Sequence, residues 1–306
     1  MAETPRTGRM GERVLENACL RVRVMPERGG KLVSVLEKKH GFEALFQPGS
    51  GYPPLVPGMP FSEGDASGFD DVFPSMGETF REREGAESLV LPDHGEIWTS
   101  AMRVTEESPE AVGMETRGRV LPYVYRKRIS LRGRDVCMDI RIRNTGGKAF
   151  PLVWVGHGLL RMEKSMAFLF PGESRGIEWT AGCGFPEDGE VRTRVDDPVY
   201  GLPEPLPEGK MMKFYFLDPV REGRCAALYP DSGMRVELRF DASRLPYLGF
   251  WATTGGYRGE RNFAFEPATA WYDTWERAMR SGKCPLLAPG EEAGWTLSLS
   301  VSEAEG

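Results

Sequence analysis

The chain has 306 residues, 40% hydrophobic and 10% aromatic, enough to bury a large core. Its 45 acidic and 39 basic residues leave a net charge of −6 with no lysine/arginine stripe, which argues against nucleic acid as a partner. The longest apolar stretch, Phe150 to Leu160, is far shorter than the roughly 20 residues of a membrane helix, so no membrane partner is expected either.

The opening MAETPRTGRMGERV lacks the apolar core of a secretion signal. Five widely spaced cysteines (Cys19, Cys137, Cys183, Cys225, Cys284) with no CxxC pair read as reduced thiols in a cytoplasmic protein without a zinc framework. With 37 glycines and 24 prolines the chain is rich in turns, and no linker divides it. One domain over residues 1–306 is expected.

Short alternating segments begin at Arg21 to Met25 and, after the Gly29-Gly30 turn, at Lys31 to Glu37. Pro48 to Glu87, containing GFDDVFPSM, shows little periodicity and reads as a long loop, with the GFDD stretch able to act as a lid. Strands resume with Val112 to Val120, Tyr123 to Leu131 and Val136 to Ile142. In the last, Val136, Met138, Ile140 and Ile142 face inward.

FPLVWVGHGLL then carries His157 in apolar surroundings. Further strands are expected at Met166 to Phe170, Met212 to Leu217, Cys225 to Tyr229, Met234 to Phe240, Tyr247 to Ala252 and Trp295 to Val301, around a proline-rich excursion from Pro171 to Lys210. Only Thr269 to Gly282 has helical spacing, through Tyr272, Trp275, Ala278 and Met279. The fold class is therefore all-β, a large antiparallel sandwich with one short C-terminal helix.

Glu266 stands out among the ionisable residues. Phe265 and Pro267 flank it, so desolvation should raise its pKa and make it a stronger base; the plain alternative is a strand-end carboxylate paired with Arg261. Of three histidines, His40 lies in a polar turn and reads as structural, His94 sits where PDHGEIW turns into a strand, and glycines on both sides of His157 leave space beside its ring. No HxxxH spacing, GxGxxG, GxxxxGK[ST] or GxSxG is present, so neither metal nor nucleotide is expected. Trp98, Trp154 and Trp251 are either sugar-stacking surfaces or core anchors.

Taken in order, ERGGKLVSVLEKKHGFEALF, GFDDVFPSM, PDHGEIW, DIRIRNTGGKAFPLVWVGHGLL, LPYLGFWATTGGYRGERNFAFEPATA and LLAPGEEAGWTLSLSVS resemble the aldose 1-epimerase (galactose mutarotase-like) family over nearly the whole chain. The resemblance implies a β-supersandwich whose cleft presents two histidines and a late glutamate, corresponding here to His94, His157 and Glu266. It implies a small-molecule carbohydrate as partner and no cofactor. The family's Asn-Arg stretch ahead of the first histidine is not recognisable here. Its sugar-binding aspartate has candidates in Asp218, Asp70 and Asp71, with Trp154 and Trp251 as further substrate-binding residues.

On this reading Glu266 takes the proton of the C1 hydroxyl, His157 lends one to the ring oxygen, and His94 hydrogen-bonds the developing charge. Two other readings remain. One is a sugar-binding module without turnover. The other is a glycosidase pairing Glu266 with Asp70 or Asp71. Arg258 and Arg261 are candidates for a phosphate or carboxylate on the sugar.

Overall fold

The computed structural model describes residues 11–49, 51–81, 88–172, 176–182, 191–193, 208–271 and 273–304. The N-terminal ten residues, Cys183, Tyr272 and much of the 171–210 excursion lie outside them.

Two antiparallel sheets form the body. In the eight-stranded sheet, Asp135–Asn144 buries Val136, Met138, Ile140 and Ile142 and turns Arg141 and Arg143 outward, as its alternation requires. Tyr123–Arg132 and Glu292–Glu303 flank this strand. The twelve-stranded sheet runs, at its centre, through Lys31–Glu37, Phe69–Val72, Val155–Gly158, Arg261–Ala268, Tyr247–Thr254 and Met211–Phe216. The main core lies between the sheets, where Phe69, Trp154, Phe214, Phe250, Phe263 and Phe265 meet Ile129, Met138, Leu297 and Leu299. The reverse face of the larger sheet carries a smaller apolar cluster of Phe61, Ala66, Trp98, Leu159 and Ala264.

Three expectations are corrected. GFDDVFPSM is not a lid: Phe69–Val72 is a fully buried strand, antiparallel to Val155–Gly158 in the middle of the sheet. Its two aspartates disguise it, because each is paired with a buried lysine, Asp70 with Lys31 and Asp71 with Lys127. The helix is confined to Trp275–Arg280, capped by the Thr274 side chain. Ahead of it the strand Arg261–Ala268 continues past Pro267, and Trp271 Nε1 donates to the Phe216 carbonyl at 2.9 Å, which holds the segment in an irregular path. A strand over Gly176–Gly182 lies inside what reads as a proline-rich excursion.

Candidate active site

Alternation along the larger sheet decides which side chains reach the reverse face. On Phe69–Val72, Phe69 and Asp71 turn inward and Asp70 outward; across the ladder Asp70 pairs with His157. His157 and Glu266 are neighbours because Val155 pairs with Ala268, two residues away along each strand. On the far side Glu266 pairs with Gly249 and Gly249 with Tyr215, while Ala264, Trp251 and Lys213 form the next row. One cavity of about 280 Å3 opens over this surface, lined among others by His94, His157, Lys213, Trp251 and Glu266.

His157 Nε2 lies 3.9 Å from Glu266 Oε1, with the two residues 6% and 1% exposed. Burial raises the Glu266 carboxyl above the usual carboxylate range despite Lys213, whose Nζ is 3.2 Å from Oε2. The same ammonium is 3.2 Å from Asp273 Oδ1, which also accepts from the Tyr215 hydroxyl. Burial alone would lower the Lys213 pKa, but Asp273 and Glu266 outweigh it, raise it instead and keep the ammonium charged. The desolvation expected at Glu266 is thus present, and its cationic neighbour is Lys213; Arg261 pairs instead with Glu208.

His157 differs in character from His94. Burial, followed by the nearby charges of His94, Lys213 and Lys31, pushes the His157 pKa well below its ordinary value, and its Nδ1 has no hydrogen-bond partner among the described residues. The glycines beside it do not make room for its ring. Gly156 and Gly158 face the opposite side of the strand, where added Cβ atoms would meet Trp154, Leu297 and the Phe69 ring.

His94 is held by a turn that only a few residue types tolerate. It sits at φ 58° and Gly95 follows at φ 68°. A Cβ on Gly95 would collide with the Phe73 carbonyl, 2.1 Å away. The ring stacks on Phe61 with centroids 3.9 Å apart and lies 5.1 Å from the His157 ring. Asp93 Oδ1 is 2.8 Å from His94 Nδ1 and Asp93 Oδ2 accepts from the Phe61 backbone N–H. Burial would raise the Asp93 carboxyl, but the hydrogen bond from His94 and its charge hold it below the usual range. An ionised Asp93 fixes the proton on Nδ1 and leaves Nε2 for a ligand.

Other expected residues lie elsewhere. Asp71 faces the inter-sheet core and pairs with Lys127, neither being more than 1% exposed in its side chain. Trp154 is wholly buried there, its Nε1 donating to the Tyr125 hydroxyl at 3.0 Å. Asp70 is buried beside the cavity, 3.0 Å from Lys31 Nζ, without lining it. Asp218, half-buried beyond the end of Met211–Phe216, does not line it either. Trp98 is a core residue packed edge-on against Phe61, and His40 is bound to Glu37. The pairing of Glu266 with Asp70 or Asp71 that a glycosidase would use is not formed in the cavity.

Sequence reasoning missed Asp93, Lys213, Phe61, Tyr257, Glu260 and Asn262 among the lining residues. Lys213 left a signal as the one charge within MMKFYF, and Asp93 as the neighbour of His94. Among the described residues no group of three or more His, Cys, Asp and Glu side chains is arranged to hold a metal. Nor is any helix among them long and apolar enough to cross a membrane.

The large antiparallel sandwich has the galactose mutarotase-like fold. The solved structures similar to this chain bear that out. A protein from Synechocystis sp. PCC 6803 matches at TM-score 0.76 with 16% identity, covering 99% of each chain. A putative aldose 1-epimerase from Escherichia coli K12 matches at 0.73 with 16% identity, over 96% of this chain and all of the other. A galactose mutarotase-like protein from Lactobacillus casei ATCC 334 matches at 0.72, again with 16% identity, over 95% of this chain and 100% of that one. No protein-family model matches the sequence, and no curated protein matches it.

Proposed function

We propose that this protein interconverts the α and β anomers of an aldose by acid–base ring opening. The observation that carries the reading is the buried Glu266 carboxylate, raised in pKa, facing one cavity together with His94 and His157. Anomer exchange needs only a base for the C1 hydroxyl proton and an acid for the ring oxygen. As the C1–O5 bond opens to the aldehyde, O5 receives a proton; rotation about C1–C2 and reclosure run the same transfers backward.

Glu266 serves as the base. The histidine roles are exchanged relative to the sequence reading. His157, its pKa lowered by burial, is neutral at neutral pH, so it hydrogen-bonds the substrate as uncharged imidazole. His94, backed by the Asp93 carboxylate, carries the proton to and from the ring oxygen. Lys213 keeps Glu266 available as an anion in spite of its burial. The fold of the similar structures supports a sugar as ligand. Polarimetry on freshly dissolved aldoses tests the reading directly: the protein should speed equilibration of at least one of them.

A further inference from the structure

We propose that Arg258 is a positioning residue for His94: it fastens the short turn that carries Phe61, and Phe61 fixes the face of the His94 ring. This deepens the anomer-exchange reading and rests on it for the role of His94.

Arg258 occupies a place whose backbone favours other residues. It follows Tyr257 in a tight turn closed by the Glu260 N–H, which donates to the Tyr257 carbonyl at 2.9 Å. The two central residues, Arg258 and Gly259, have φ of 54° and 72°. Positive φ at both positions is the pattern of a type I′ turn, where Asn, Asp or Gly is preferred at the first. An arginine there adopts a strained conformation, so its side chain is the reason to look for a role.

That side chain reaches a segment almost 200 residues earlier. Nη1 donates to the Ser62 carbonyl at 3.2 Å and to the Gly64 carbonyl at 2.9 Å, while Nε lies 3.2 Å from Glu260 Oε1. The guanidinium that the sequence offers to a phosphate or carboxylate is thus bound to the protein itself, and Arg261 is likewise paired with Glu208. Ser62 belongs to the 3-10 turn Phe61–Glu63, which Gly64 ends by donating its N–H to the Phe61 carbonyl at 2.9 Å. The other end of the turn is tied to Asp93, whose Oδ2 accepts from the Phe61 N–H at 3.2 Å.

Between these two ties Phe61 lies flat on His94, with ring planes 10° apart, and meets His157 edge-on at 5.3 Å. Asp93 Oδ1 fixes the edge of the His94 ring at Nδ1. One hydrogen bond leaves a ring free to turn about the axis of that bond. A flat partner against its face removes this freedom and directs Nε2 toward the reacting atoms. Without the Arg258 contacts the turn is tied only at its Asp93 end, and Phe61 moves off the imidazole.

The test uses Arg258→Asn, which keeps the turn with a residue it prefers but cannot reach the two carbonyls, and Phe61→Leu, which keeps the apolar bulk without the ring. NMR of the histidine C2–H signals reads the stacking, with His94→Gln identifying the His94 signal by its loss. The wild-type signal should lie upfield of its place in Phe61→Leu, through the Phe61 ring current, and Arg258→Asn should move it most of the way there. A wild-type signal that is not upfield, or one that Arg258→Asn leaves in place, overturns the proposal. In anomer equilibration Arg258→Asn should lower kcat about tenfold and add no further loss in the Phe61→Leu background. The same loss in both backgrounds gives Arg258 a role apart from Phe61 and overturns the proposal too. If wild type speeds no sugar, the anomer-exchange reading fails by itself, and the spectra alone decide whether Arg258 positions the Phe61–His94 pair.

Discussion

Lys213 Nζ stands 3.2 Å from Glu266 Oε2 and shares its charge with Asp273, so a single ammonium neutralises two acids at the floor of the cavity. Removing it as Lys213→Met takes away the interaction that opposes burial at Glu266. The Glu266 pKa then rises further, and the acid limb of the pH–rate profile moves to higher pH. Because the side chain is only 12% exposed and leaves two carboxylates behind, stability falls as well, by about 3–5 kcal/mol. An acid limb that stays in place would separate Glu266 from the rate.

Asp93→Asn replaces the acceptor that holds His94 Nδ1–H with a group of the same shape. The proton on His94 is then no longer confined to Nδ1. A loss of about 10²-fold in kcat with little change in KM is expected, because substrate contacts are retained while proton delivery is not. Equal losses in kcat and in sugar affinity would assign Asp93 a structural role only.

Gly249 has no side chain where the Glu266 carboxylate crosses it. A Cβ there would stand 3.0 Å from Glu266 Oε2 and 3.0 Å from a Tyr215 ring carbon. Gly249→Ala should keep the fold, with a loss of about 1–3 kcal/mol read from the melting temperature. It should lower kcat by about tenfold or more by moving the base off its line to the substrate. Unaltered kcat would mean that the carboxylate tolerates displacement.

Asp70 and His157, paired across two strands, give pH trends of opposite sign. Burial raises the Asp70 carboxyl from 3.8 to about 6, against the pull of Lys31. Its contribution to stability is full below pH 3.8 and is lost as pH rises through about 6, a change of roughly 3 kcal/mol. His157 is lowered from 6.5 by burial, so its contribution is present above pH 6.5 and is lost as pH falls. Between about pH 4 and 6.5 the two oppose each other. Chemical denaturation across that window should show stability rising with pH in Asp70→Asn and falling with pH in His157→Gln. The same slope in both variants would contradict the two assignments.

Periodic apolar residues made some strands readable: Met234–Phe240 and Lys31–Glu37 have the bounds their patterns give, although Lys31–Glu37 is buried on both faces. Phe69–Val72 was hidden because it is buried on both faces and carries charges that only distant lysines explain. Lys127 lies 56 residues from Asp71, and no local pattern links them. The three central site residues were approachable for different reasons. Glu266 is flagged by its apolar neighbours, whereas His94 and His157 depend on a family resemblance. The polar residues at the far end of the cavity, Glu260 and Asn262, follow a glycine-rich loop that resembles ordinary solvated sequence. Their neighbour Arg258 is tied to the Ser62 carbonyl, almost 200 residues earlier in the chain, which no local pattern shows.

In the proposed mechanism Glu266 is the base for anomer exchange. The most direct measurement follows equilibration of freshly dissolved aldoses, by polarimetry or saturation-transfer NMR, with wild type beside Glu266→Gln. Acceleration by wild type and a loss of about 10²- to 10⁴-fold in the variant is the predicted result. A variant that retains near-normal rates would contradict the role of Glu266, and a wild type that binds sugars without speeding any of them would contradict anomer exchange itself.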